Sequence, residues 1–167
     1  MQYTSAEAGK LLRKLNEEYQ TTIAKENKSA VFTAAVGENL EEVRPSYAFA
    51  DTRAKVRELQ SKIRRVKHAM NEFNLKTAVP GFDMTIDQML VYIPQLSEEK
   101  RLLTEMAGRL PKTRTHSFGN RSIIEYDYAN YDVDEAARAL EAVTDELSKA
   151  QTALDVVNNS INFEIDL

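Results

Sequence analysis

Between Arg109 and Tyr131 the chain interleaves cations with aromatic rings. Arg109, Lys112, Arg114, His116 and Arg121 accompany Phe118, Tyr126, Tyr128 and Tyr131. Basic groups pair with phosphates and carboxylates, and aromatic faces stack on bases. The chemistry on offer is the holding of an acidic ligand such as a nucleotide or oligonucleotide. The candidate ligand-binding residues are Arg114, His116, Arg121, Tyr126 and Tyr128, with Arg64, Arg65 and Lys67 as further cations. A second explanation stands beside this one. The tyrosines would pack the segment onto helix ends, and its cations would meet acidic groups elsewhere in the chain or across an oligomer.

Other chemistry finds little support. The histidines are His68 and His116 alone. His68 falls one step off an apolar seam and reads as a surface residue. A Ser117–His116 nucleophile pair would need both side chains on one side, whereas neighbours along a strand point to opposite faces. Neither the Glu-x-x-His nor the His-x-x-x-His metal spacing occurs. There is no Cys, which excludes disulfides, thiol catalysis and thiolate metal sites. Glu17-Glu18 and Glu98-Glu99 read as solvated helix faces, and Asp132, Asp134 and Glu135 as cap and first-turn charges. Ala8-Gly9-Lys10 lacks the glycine-rich lead-in of a phosphate loop. No catalytic residue, metal or cofactor is assigned. The expectation is a non-enzymatic interaction or scaffold protein, with acidic-ligand binding through residues 109–131 as the alternative.

The elements that must position the 109–131 segment are helices. KTRTHSF and SIIEYDY flank Gly119-Asn120, which predicts a β-hairpin over residues 112–128. After it, Val133, Ala136, Leu140, Val143, Leu147, Ala150, Leu154 and Val157 step by three and four, the seam of a helix lying along another helix. Asp132 is its expected cap. Before the hairpin, Thr85 with Gln88 forms a capping box. Ile86, Met89, Ile93, Leu96, Leu103, Ala107 and Leu110 follow at heptad spacing, with Lys100 the polar intrusion. Pro94 lies inside that pattern and predicts a bend near Val91.

Two further helices precede these. Thr4 with Glu7 predicts the start of one that runs to about Asn27, with Ala8, Leu12, Leu15, Tyr19 and Thr22 as its stripe. Asp51 is the expected cap of another, with Val56, Leu59, Ile63, Val66, Met70 and Phe73 as its seam and Asn74 as its stop. At ~1.5 Å per residue each rod is ~35 Å long, so its seam requires a partner of similar length. Residues 29–36 suit either a strand or more helix; 30–36 and about 41–48 are read as a loose hairpin. The tail, Ile161 to Leu167, alternates apolar and polar and predicts a strand paired with the hairpin or with another copy of the chain.

The fold class is therefore mainly α: four long helices as antiparallel helical hairpins or a coiled-coil-like bundle, with small β-hairpins and a C-terminal strand. The chain suits a single domain over 1–167, with a faint internal repeat of 1–81 and 82–167. Leu15-Asn16-Glu17-Glu18 matches Leu96-Ser97-Glu98-Glu99, and Tyr47-Ala48-Phe49-Ala50-Asp51 matches Tyr128-Ala129-Asn130-Tyr131-Asp132. Duplication explains this, and so does shared heptad patterning. Residues 51–76 carry a net +5 and residues 109–121 a net +4, leaving −13 for the rest of a chain whose total is −4. Such segregation steers acidic partners or a second copy, so a homo-oligomer is expected. No apolar run suits a signal-peptide core or a membrane span, and cytoplasmic placement is expected.

The stretch DMTIDQMLVYIPQLSEEKRLL, the hairpin after it, ANYDVDEAARALEAVTDEL and TALDVVN resemble uncharacterised bacterial proteins. More distantly the layout resembles the septicolysin-like group, in its Thr-led third helix, basic hairpin and last helix ending in Asn. The resemblance implies a helical fold and a bacterial origin, and transfers no functional residue. The membrane damage that the group's label implies is not carried over, since no stretch here is suited to insertion.

Overall fold

The structure, a computed structural model, describes residues 1–115 and 124–167. The element order is β1 (Gln2–Thr4), α1 (Ser5–Ser29), α2 (Leu40–Val43), α3 (Phe49–Lys76), α4 (Ile86–Ala107), β2 (Lys112–Arg114), β3 (Tyr126–Tyr128), α5 (Val133–Ser160) and β4 (Asn162–Glu164). The fold is mainly α, with four long helices and short antiparallel strand pairs. The chain divides into two units: Met1–Asn74 with Asn158–Leu167, and Leu75–Val157. Among the described residues no helix is long and apolar enough to cross a membrane.

In the first unit α1 and α3 run antiparallel, because Glu18 meets Lys55 while Glu26, further along α1, meets Arg53, earlier in α3. Thr4 and Glu7 close the capping box that starts α1. The seams face inward as their spacing requires. Ala8, Leu15, Leu59, Val66 and Ile165 form one buried cluster, with Leu11, Leu12, Tyr19, Ile63 and Met70 packed against it. Burial of side chains of this size is worth roughly 1.5–3 kcal/mol each. His68 lies on α3's exposed face.

The tail is a strand with one buried face, but its partner differs from expectation. β4 pairs with β1, Tyr3 opposite Phe163, and the Met1 amino group donates to Ile165 O at 3.0 Å. Phe163 stacks on Phe73 at 4.4 Å, and Ile165 is fully buried. The strand Gln2–Thr4 escaped the sequence pattern because three residues are too few to display a period of two. The expected hairpin over 30–36 and 41–48 is also corrected. Residues 31–39 are irregular, and the second arm begins as the one-turn helix α2. Asn39 accepts from Glu41 N, and Glu42 meets the Asn39 amide at 2.9 Å, so a cap outcompetes the strand propensity. Gly37, at φ +95°, supplies the turn before it.

Helix boundaries shift as well. α3 begins at Phe49, so Asp51 lies in its first turn rather than at its cap, where its charge still meets the helix dipole. α3 also continues past Asn74 to Lys76.

In the second unit α4 and α5 are antiparallel. Tyr92 bonds Glu146, while Tyr131, before α5, donates to Met106 O near the end of α4. Ile86, Met89 and Leu96 of α4 are buried, as are Ala136, Leu147, Ala150, Leu154 and Val157 of α5. Asp132 caps α5, accepting from Asp134 N at 2.9 Å and Glu135 N at 3.3 Å. α4 continues as helix through Pro94, which stands on the exposed face, so the Leu90 carbonyl deprived of a donor lies toward water. Leu110 falls beyond the end of α4 and is exposed.

Candidate ligand-binding site

The basic–aromatic segment is carried by the end of α4 and the start of α5. Gly108 terminates α4, its N–H reaching Thr104 O at 3.1 Å, and Pro111 prevents the helix from resuming. The chain then extends as β2, pairs antiparallel with β3, and returns to the Asp132 cap. The register sets Lys112 opposite Tyr128, Thr113 opposite Asp127 and Arg114 opposite Tyr126. Ala129 N donates to Pro111 O at 3.1 Å and Thr115 N to Glu125 O at 3.0 Å, closing the ladder at both ends.

Because opposed residues share a face, Lys112, Arg114, Tyr126 and Tyr128 stand on one side of the ribbon. The Lys112 ammonium lies 4.0 Å from the Tyr126 ring centre and 5.4 Å from that of Tyr128. The two rings are 6.4 Å apart and tilted by 54°. Both tyrosines are exposed, at 42% and 65%, so the packing of these rings onto helix ends is not what the structure shows. Tyr131 is the exception: it is half-buried and bonds Met106 O. Among the described residues the ion pairs within 4 Å involve none of Arg109, Lys112 and Arg114. A concavity of about 630 Å³ adjoins the ribbon, lined by Gly108, Arg109, Leu110, Thr113, Asp127, Tyr128 and Ala129.

Of the sequence-derived set, the structure brings Arg114, Tyr126 and Tyr128 together on one face. His116, Arg121 and Phe118, with the expected Gly119-Asn120 turn, lie outside the described residues. Arg64, Arg65 and Lys67 belong to α3 of the other unit. Arg65 is 3.9 Å from Asp166, and Arg64 borders a concavity of about 360 Å³ with Tyr19, Gln60 and Ile63. Lys112 is the residue whose role the sequence understated. Its signal was present: in an antiparallel ribbon a lysine opposite one tyrosine and diagonal to another reaches both rings.

Chemically the ribbon is a cation held against π faces. An ammonium over aromatic rings is positioned without being neutralised, so its N–H donors remain available to an anion. Arg114 adds a planar fork suited to phosphate or carboxylate.

The fold is shared with a conserved protein of unknown function. That protein is from Corynebacterium diphtheriae; its crystal structure matches this chain with a TM-score of 0.61 at 17% identity, over 98% of this chain and 100% of its own. At that identity the likeness speaks for the fold. No family model matches the chain. No curated protein matches it.

Proposed function

We propose that the protein is a cytoplasmic interaction module that works by binding, without catalysis of its own, and that the β2–β3 ribbon takes an acidic ligand, a nucleotide or oligonucleotide. The observation that carries this reading is Lys112. Its ammonium rests over two exposed tyrosine rings and has no carboxylate partner among the described residues. Anisotropy of a labelled single-stranded oligonucleotide, with inorganic pyrophosphate as competitor, tests the reading. Binding that weakens with salt and with Arg114→Ala is expected; affinity indifferent to both rejects it.

A homo-oligomer formed through the helices is the second reading. Leu90 and Val91 are half or more exposed beside the exposed Pro94, giving α4 an apolar flank away from its buried seam. Sedimentation equilibrium is expected to show self-association that Leu90→Glu abolishes. A monomer at all concentrations removes this reading and leaves the ligand-binding one standing.

A further inference from the structure

The two halves of the chain repeat one another in features that helix patterning does not dictate. Thr4 and Thr85, 81 residues apart, each close a capping box on the following helix, with Glu7 and Gln88 respectively. The residue before each Thr meets a tail residue: Tyr3 is strand-paired with Phe163, and Met84 O accepts from Val79 N at 2.9 Å. The Thr residues are paired too, Thr4 with Asn162 and Thr85 with Ala78. Tyr3 maps onto Met84 by the same 81 residues, while Ala78 and Val79 map onto Asn162 and Phe163 by 84, the offset that superposes the seams of α3 and α5. A tyrosine two residues before the second helix of each half then bonds back near the end of the first. Tyr47 OH reaches the Glu26 carboxylate at 2.8 Å, and Tyr131 OH reaches Met106 O at 2.9 Å. Tyr47 and Tyr131 are again 84 residues apart, so the structure matches Tyr47 with Tyr131 where the sequence pattern had paired it with Tyr128.

Heptad spacing constrains which helix positions are apolar. It fixes neither strand register nor a tyrosine outside the helix. The pairings also cross over. The tail of the first half, Ala78 and Val79, pairs within the unit that holds α4 and α5. The tail of the second half, β4, pairs within the unit that holds α1 and α3.

We infer that the chain consists of two copies of one strand–helix–connection–helix–tail module, and that the surface at the start of each copy's first helix is a docking site whose partner is the tail of the other copy. In the first unit that site receives Phe163 on Phe73 and Ile165 in the buried cluster. The two docking junctions differ in extent, a three-residue ladder against a single bridge, and in connection. Val79 and Met84 are joined by Pro80, Gly81, Phe82 and Asp83, with Gly81 at φ +84°, whereas Phe163 and Tyr3 are not joined.

The two junctions are therefore interchangeable, and circular permutation of the 167-residue chain tests this. Both permutants open between Gly81 and Phe82. The first joins Leu167 to Met1 by a flexible Gly-Ser linker and keeps Ile165. The second joins Phe163 directly to Tyr3 through the sequence Pro-Gly-Phe-Asp. Both are expected to melt cooperatively with parental helicity. The first should melt within a few degrees of the parent, and the second about 10 °C lower through loss of the buried Ile165 side chain and of the Gln2–Glu164 pair. A first permutant without cooperative melting overturns the equivalence of the docking sites. A first that folds beside a second that does not overturns the register equivalence.

Discussion

Each helix pair is linked by a connection, and the two connections treat charge in opposite ways. In the first unit, at the α1–α3 connection, Arg44, Arg53 and Lys55 are neutralised, while Lys25 and Lys28 stand exposed. Arg44 meets Glu41 at 3.0 Å and lies over the Phe32 ring, Arg53 meets Glu26, Lys55 meets Glu18 at 2.9 Å, and the Tyr47 hydroxyl is spent on Glu26. In the second unit, at the α4–α5 connection, Arg109, Lys112 and Arg114 meet no carboxylate among the described residues, and Tyr126 and Tyr128 face outward. The same residue types thus serve the fold in one connection and stand available in the other. Composition does not separate the two; partner geometry does.

The comparison breaks most visibly at Glu26, whose side chain is only 12% exposed. Glu26→Ala leaves Arg53 and the Tyr47 hydroxyl without their acceptor, and a loss of about 2–3 kcal/mol in urea unfolding is expected. Oligonucleotide binding should not change, because the second unit keeps its ribbon. Next in size is Lys112→Ala combined with Arg114→Ala. It should lower oligonucleotide affinity by roughly 100–200-fold, at ~1.5 kcal/mol per charge-assisted contact, with the melting temperature within ~2 °C of the parent. Tyr126→Ala should cost about 3–10-fold in affinity, through the lost ring under the Lys112 ammonium.

Two pH effects sharpen the same contrast by isolating groups that serve the fold. The Glu146 carboxylate that accepts from the Tyr92 hydroxyl raises that phenol above its ordinary 10.0, with burial second. This pair's stabilisation is complete below pH 10 and is lost as pH rises through the raised value of the folded state. Melting curves across that range should fall less steeply for Tyr92→Phe. Lys55 holds Glu18 below its usual 4.5, by hydrogen bond and then by charge. That contribution is present above the unfolded value and disappears as pH drops through the folded one. Arg101→Ala is the smallest perturbation. Although Arg101 bonds both Glu98 and Glu105, all three side chains are more than half exposed, and no resolvable change in urea unfolding is expected.

The long helices were legible because their signal is redundant. Every seam residue from Val56 to Phe73 and from Val133 to Val157 is buried or half-buried, and both Thr-led capping boxes form. The 31–48 connection was misread because Val31, Phe32 and Val36 carry strand propensity that no neighbouring strand rewards, while Asn39 with Glu42 offers a local cap. The partner of the tail was hidden because β1 is three residues long and lies at the far end of the chain from β4. For the candidate site the sequence supplied the residue types and the hairpin that carries them. The placement of Lys112 over both rings required the register of the ribbon.

The central claim is that the second unit's ribbon holds an anion with cations the fold leaves unpaired. The most direct measurement is the slope of log affinity against log salt for a single-stranded oligonucleotide, in the parent and in Arg114→Ala. Each neutralised phosphate contributes about 0.7 to that slope, so Arg114→Ala should flatten it by roughly that amount. Parallel slopes for the two proteins, or a parent slope of zero, would contradict the account.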